Sequence, residues 1–308
     1  MATAVSIVGT HYGSELVKDQ VSKALDLIDF KFNPSVKSIA IKPNLCYYWN
    51  AATGYTTDPK VVAVVIDIVR ERYGDNVNIK IVEADASAMR TKYAFPILGY
   101  ENLAKEKAIE LFDLSNDVLV DKTVSVGKRK ISFKVPQLLL ESDLFINVPK
   151  LKIMRITKIT CAMKNVFGCI GYPRKFVYHP FLDEAIVGIN KILKPHLTVV
   201  DGLVALGRHP VRLGLIMAGV DPFSVDWVAS QIMGYNPTKV RSLEIAVKEK
   251  LGVADEIIIK GDSILDFRNR FPKANFASSN HWWRILFWLL SAYHRVVGDI
   301  IPPVIEEA

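Results

Sequence analysis

Short, uninterrupted apolar runs alternate with amphipathic stretches of helical period along nearly the whole chain, and that alternation leaves few folds open. β-rich runs occur at Ala4–Thr10, Ser38–Asn44, Asn78–Asp85, Asp143–Lys150, His196–Leu203, Leu213–Asp221 and Glu256–Lys260. Several are continuously apolar, as strands buried on both faces of a parallel sheet are. Between them lie helical patterns at Glu15–Phe30, Pro59–Tyr73, Leu182–Leu193, Ser224–Met233 and Lys239–Lys250. In one, Val61, Val64, Val65, Ile68 and Val69 fall on a single stripe. Strand–helix alternation of this kind predicts an α/β fold, a mainly parallel doubly wound sheet.

Two segments break the pattern. Val120–Val135 alternates with period 2 on either side of Gly127-Lys128, which predicts a small antiparallel hairpin at a sheet edge or as a flap. Asp266–Asn280 reads as a linker, dividing the chain into an α/β domain (1–265), the linker (266–280) and a C-terminal amphipathic helix and tail (281–308). Arg284, His294, Arg295 and Asp299 interrupt that tail too often for a transmembrane span. Its apolar face (Trp283, Leu286, Phe287, Leu290, Val297) opposes a narrow stripe of Arg284, Ser291 and Arg295. Residues 281–301 therefore suit either a membrane surface or a protein contact, on the body or in a homodimer.

Three cysteines with no C-x-x-C pair exclude a disulfide scaffold, a zinc ribbon and a ferredoxin-type module. No signal peptide is expected from the first residues, so a reducing, cytoplasmic setting is the expectation, with attachment to a membrane periphery left open by the tail. The net charge is +7, and its distribution matters more than its size. From Leu144 to Leu182 there is no Asp or Glu, yet that stretch carries Lys150, Lys152, Arg155, Lys158, Lys164, Arg174 and Lys175, as many charges as the whole excess. The chain is basic in one segment.

Three constellations can carry chemistry. Lys42 and Asn44 end a buried strand, where ligands bind in open α/β sheets; the plainer reading is a strand-terminal turn. In the basic segment, Lys150, Lys152, Lys164 and Asn165, with Gly168 and Gly171, suit a phosphate or carboxylate. No Walker A loop accompanies them, so a nucleoside triphosphate is not implied. Carboxylates stand at predicted strand ends: Asp85, Asp201 and Asp221, with Asp226 five residues after the last. Asp201 and Asp221 are candidates for a divalent cation such as Mg2+, Asp85 and Asp226 for acid–base work. Each also has a structural reading as a cap or turn. Of the histidines, His179 is the best acid–base candidate because it follows the basic segment.

The chain resembles the family called domain of unknown function 362. The resemblance rests on IKPN (Ile41–Asn44), TTDPKVV (Thr56–Val62), VEADAS (Val82–Ser87), INVPKLK (Ile146–Lys152) and TCAMKNVFGC (Thr160–Cys169). It continues through Lys175 and His179, VVDGLVAL (Val199–Leu206) and AGVDPFSVD (Ala218–Asp226). The resemblance implies functional weight for Lys42, Asn44, Asp85, Lys150, Lys152, Lys164, Asn165, His179, Asp201, Asp221 and Asp226. Where the family pattern has Lys-x-His, this chain has Lys152-Ile153-Met154, which removes an imidazole. Members similar to iron–sulfur proteins carry an appended ferredoxin-like module; its cysteines are missing here, and no iron–sulfur cluster is expected.

Two functions follow as expectations. One is a small-molecule enzyme that binds an anionic substrate at the carboxyl ends of the strands, its reaction unspecified. The other is a non-catalytic accessory protein that docks a redox or membrane partner through the basic segment and the tail. Nucleic acid is not an expected partner, since no recognisable module is present.

Overall fold

A computed structural model describes residues 2–9 and 14–274, with positions 289 and 292 beyond them. In chain order the elements are β1 (Thr3–Gly9), α1 (Ser14–Leu27), β2 (Ser38–Pro43), α2 (Pro59–Tyr73), β3 (Asn78–Glu83), α3 (Thr91–Ile97), α4 (Tyr100–Glu106) and β4 (Glu110–Asp113). There follow β5 (Leu119–Val126), β6 (Arg129–Pro136), α5 (Gln137–Glu141), β7 (Leu144–Val148), β8 (Lys150–Met154), β9 (Lys158–Thr160) and α6 (Ala162–Phe167). The last group is α7 (Leu182–Ile192), β10 (Leu197–Leu206), β11 (Pro210–Gly219), α8 (Pro222–Ile232), α9 (Arg241–Lys248), β12 (Ile257–Gly261) and α10 (Ile264–Arg268).

The main sheet runs β12-β1-β11-β10-β7-β2-β3-β4, with β8 beside β10 and β9 beside β8. Along the main path every pairing is parallel except those of β11, which lies antiparallel to both β10 and β1. Alternate side chains of the strands enter two cores, one on each face. Ile39 and Ile41 pack with α1, α2, α3 and α4; Ala40 and Phe145 pack on the other side with α6, α7, α8 and the hairpin. Two covered faces explain why the strands read as continuous apolar runs. The helices are cut where their chemistry says: Asp58 caps α2 ahead of Pro59, and Gly74 ends it in the positive-φ region.

The expected hairpin forms β5–β6, a separate two-stranded sheet in full register from Leu119–Pro136 to Val126–Arg129. Its inward residues Ile131, Phe133 and Val135 are buried against α7, so it covers a helix and adds nothing to the main sheet. The region read as a linker starts inside α10. Phe267 and Phe271 are buried, Arg208 N–H donates to the Pro272 carbonyl, and Tyr235 Oη donates to that of Ala274. Up to Ala274 it is therefore packed on the α/β body. The amphipathic helix read at 281–308, and with it the membrane or homodimer contact of residues 281–301, lies outside the described residues apart from positions 289 and 292. Among the described residues no helix is long and apolar enough to cross a membrane.

The chain leaves β2 toward β3 on one side, whereas β7, which also flanks β2, is followed by strands on the other side. The carboxyl ends of β2 and β7 thus frame a crevice at a change of winding direction, the usual ligand position in open α/β sheets.

Candidate functional site

A cavity of about 430 Å³ opens at the carboxyl ends of β2 and β3, lined by Lys42, Asn44, Glu83, Lys164, Lys175 and His179 together with Cys46, Tyr47 and Gly168. Its remaining wall is mostly apolar, including Met89, Met154, Ile156, Phe167 and Leu182. The volume falls within the range of small-molecule sites.

Each lysine reaches the cavity by a different route. Lys42, at the end of β2, is buried and pairs with Glu83 at 2.7 Å, while donating to the Pro43 carbonyl at 2.7 Å. Glu83, at the end of β3, also accepts from Leu45 N–H and Ala84 N–H. Lys175 is buried and donates to the backbone carbonyls of Asp85 and Gly168 at 2.8 and 2.7 Å. Burial, reinforced by Lys42 and opposed by Glu83, lowers its ammonium to about 8. Lys164, on α6, is half-buried, and among the described residues its ammonium donates no hydrogen bond and makes no ion pair. Burial and the neighbouring Lys152 bring it down to about 8, with Cys46 acting in the opposite direction. Burial and Lys164 hold His179 down at about 4, so its imidazole is neutral at pH 7.

A chain of buried amides sets the position of α6. Lys152 Nζ donates to Asn44 Oδ1 (2.7 Å), Asn44 Nδ2 to Asn165 Oδ1 (3.0 Å), and Asn165 Nδ2 to Asn147 Oδ1 (2.8 Å) and the Lys42 carbonyl (3.1 Å). Asn165 therefore fastens the helix to the strand tips, and Asn147 in β7, which sequence reading missed, completes the chain. At the other end of α6 the buried Asp226 accepts from Ala162 N–H at 2.6 Å and Met163 N–H at 3.0 Å. With both ends tied, Lys164 and Gly168 face the cavity one helical turn apart.

Burial drives the Asp226 carboxyl up to about 7 against those two N–H bonds, and the Asp221 charge adds to the rise. The folded state then holds this proton more tightly than an unfolded aspartate with a value of about 3.9. Its stabilising contribution is full below about pH 4 and is lost as pH rises through 7. Asp226→Asn removes that dependence. Its melting temperature relative to the unaltered protein should move upward between pH 5 and pH 8; a flat difference would mean that Asp226 is ionised throughout.

The structure thus gathers Lys42, Asn44, Lys164 and His179 on one cavity and sends the other candidates elsewhere. Lys152 sits behind the wall, donating to Asn44, to Cys46 Sγ and to the Tyr55 carbonyl. Lys150 pairs with Asp201 at 2.8 Å, both side chains fully buried. Asp201 also accepts from the N–H groups of Asp58 and Leu203, which occupies its oxygens within the fold. The Asp85 carboxylate is held by Arg90 and Thr91 N–H, and it is the residue's carbonyl that serves the site, through Lys175. Asp221 caps α8 by accepting from Phe223 N–H and Ser224 N–H. It follows the antiparallel strand β11, so it emerges at the opposite end of the sheet from Asp201. The two carboxylates put forward for a divalent cation do not converge, and no group of three His, Cys, Asp or Glu among the described residues could hold a metal. Glu83 and Lys175 were missed as site residues; the signals were VEADAS and the i, i+4 spacing of Lys175 and His179.

Fold and cavity together define a mainly parallel α/β protein with a lysine-lined pocket at the strand ends. The chain matches the family described as Domain of unknown function (DUF362) over residues 39–231, and it belongs to that family. It is similar to the thylakoid-associated protein sll1697 of Synechocystis sp. (strain ATCC 27184 / PCC 6803 / Kazusa), 26% identical over 229 residues, which are 70% of this chain and 68% of that protein. Among solved structures, the lactate racemase apoprotein from Thermoanaerobacterium thermosaccharolyticum aligns over 64% of this chain and 50% of its own length, with a TM-score of 0.41 and 13% identity. This chain thus spans half the length of that apoprotein.

Proposed function

We propose that this pocket binds a small carboxylate- or phosphate-bearing molecule and that the protein is an enzyme acting on it. The observation that carries the reading is one of charge: Lys42, Lys164 and Lys175 line a single cavity with Glu83 as the only carboxylate among the described residues of its lining, and Glu83 already engages Lys42. An ammonium has three donors. Lys42 and Lys175 each use two on the protein, so each keeps one N–H, and their ends flank Gly168. A β-carbon at Gly168 would stand 3.3 Å from Lys42 Nζ and 2.9 Å from the Asn165 carbonyl oxygen. The absence of a side chain there leaves the space in which an oxyanion meets both ammonium groups.

Fixed cations in a partly dry cavity stabilise negative charge that develops during a reaction, without reorganising when it appears. The apolar wall supplies room for the rest of the molecule and excludes water from it. His179, neutral at pH 7, offers a proton-transfer group beside Lys164.

Calorimetric titration with inorganic phosphate, lactate and pyruvate tests this reading. At least one should bind saturably, and Lys164→Met should weaken that binding by about tenfold or more, on the order of the 1.4 kcal/mol lost with one charge contact. Its melting temperature should stay close to that of the unaltered protein, because among the described residues Lys164 has no hydrogen-bond or ion-pair partner to lose. Failure of all three anions to bind, or undiminished binding in Lys164→Met, would overturn the proposal.

A further inference from the structure

Lys42, Lys164 and Lys175 share a cavity but not a chemical situation. The two that meet at Gly168, Lys42 and Lys175, donate to backbone carbonyls, and Lys42 also to Glu83, so each nitrogen is already engaged by the protein. Lys164 makes no such bond among the described residues. It is one helical turn from Gly168 and shares the cavity lining with Met154, Ile156, Phe167 and Leu182. A lysine without acceptors among the described residues, in a cavity with a largely apolar wall, is free to turn its lone pair toward a guest; one that donates to two carbonyl oxygens keeps its nitrogen turned toward them.

We propose that Lys164 is an imine-forming lysine and that the molecule bound here is a 2-oxo acid, its carboxylate between Lys42 and Lys175 and its carbonyl carbon facing Lys164 Nζ. This rests on the anion-binding reading above. Adding an amine to the carbonyl carbon forms the C–N bond and moves the C=O π pair onto oxygen, which takes up a proton. The carbinolamine then expels that oxygen as water, leaving a C=N bond, so amine and ketone give imine and one water. The proton gained by the departing oxygen and the protons lost from nitrogen exchange with water or with the His179 imidazole. Nothing outside the protein and the oxo acid is consumed. The lowered basicity of Lys164 serves this chemistry, since an appreciable fraction is free amine near pH 8. The carboxylate subsite explains why the cavity needs two further cations, and the apolar wall accommodates the carbon chain attached to the carbonyl.

The test is reductive trapping on the full chain. Incubation with pyruvate or with 4-methyl-2-oxopentanoate in the presence of sodium cyanoborohydride, followed by intact-mass and peptide mass spectrometry, should give one dominant adduct on the peptide that contains Lys164. Labelling should rise with pH toward a plateau above about pH 8, slow when excess lactate is present, and disappear in Lys164→Arg, which keeps the charge but not the nucleophile. Labelling spread over exposed lysines and unaffected by lactate would overturn the proposal without recourse to the variant. So would the absence of an adduct when calorimetry shows that the oxo acid binds. If phosphate, lactate and pyruvate all fail to bind, it is the anion-binding reading that falls, so the two failures are separable.

Discussion

Asp201→Asn should destabilise the protein by about 3–5 kcal/mol, the scale of loss when one partner of a buried ion pair is removed. In a chain of this size that is a fall of roughly 10 °C in melting temperature, at about 2–4 °C per kcal/mol. The reason lies in what remains. Lys150 and Asp201 are both completely enclosed, and Asp201 Oδ2 serves the Lys150 ammonium and Asp58 N–H together. Asparagine keeps the shape but presents a single acceptor and no charge, leaving an ammonium in the interior with nothing to neutralise it. Lys150→Met combined with Asp201→Asn should recover much of the loss. Urea denaturation of the two single variants and the double variant measures the coupling, and simple additivity would show that the pair is not coupled.

Glu83→Gln should act in two directions. Glu83 is the carboxylate of Lys42 and accepts two backbone N–H bonds at the tip of β3, so its neutralisation should again cost about 3–5 kcal/mol. Yet the same change removes the sole negative charge among the described residues that line the cavity. A bound anion then takes over the compensation of Lys42, and its affinity should rise by about tenfold, a gain of about 1.4 kcal/mol. A ligand that prefers the folded state raises stability by mass action, so saturating anion should stabilise Glu83→Gln more than the unaltered protein. Thermal melts with and without ligand decide this: equal shifts in both proteins would show that Glu83 and the anion do not share Lys42.

The architecture was legible because each layer leaves a periodic trace. Pro59–Tyr73 is a helix over the same residues that its valine stripe and its Asp-Pro start indicate, and the strand at Ser38–Asn44 differs from β2 by one residue. The direction of β11 left its trace only in the connection, nine residues between His196–Leu203 and Leu213–Asp221, too short for a parallel crossover. Leu213–Asp221 looks like any buried strand, since antiparallel and parallel pairing inside a covered sheet demand the same apolar residues. That is why Asp221 was grouped with Asp201, although the two emerge at opposite ends.

The basic segment shows the second limit. Its residues do include cavity lysines, but sequence spacing cannot say which acid a buried lysine will meet. Lys150 finds Asp201, 51 positions away, and Lys42 finds Glu83, 41 positions away. Short elements were also opaque: β8, β9 and α6 span 5, 3 and 6 residues, too few for a period to register. Asn165 looked like a ligand contact because an amide suits one; three-dimensional placement makes it a fastener for α6.

Most of the lysines around this pocket are enclosed by protein, and that sets how its potential responds to the surrounding electrolyte. A basic patch spread on the outside of a molecule loses its pull within about 8–10 Å at ordinary ionic strength. Mobile counterions cannot surround the buried Lys42, Lys152 or Lys175 in that way, so salt screens their charges less. If the pocket takes the anion proposed above, its affinity should therefore fall less steeply with added salt than that of an exposed basic patch.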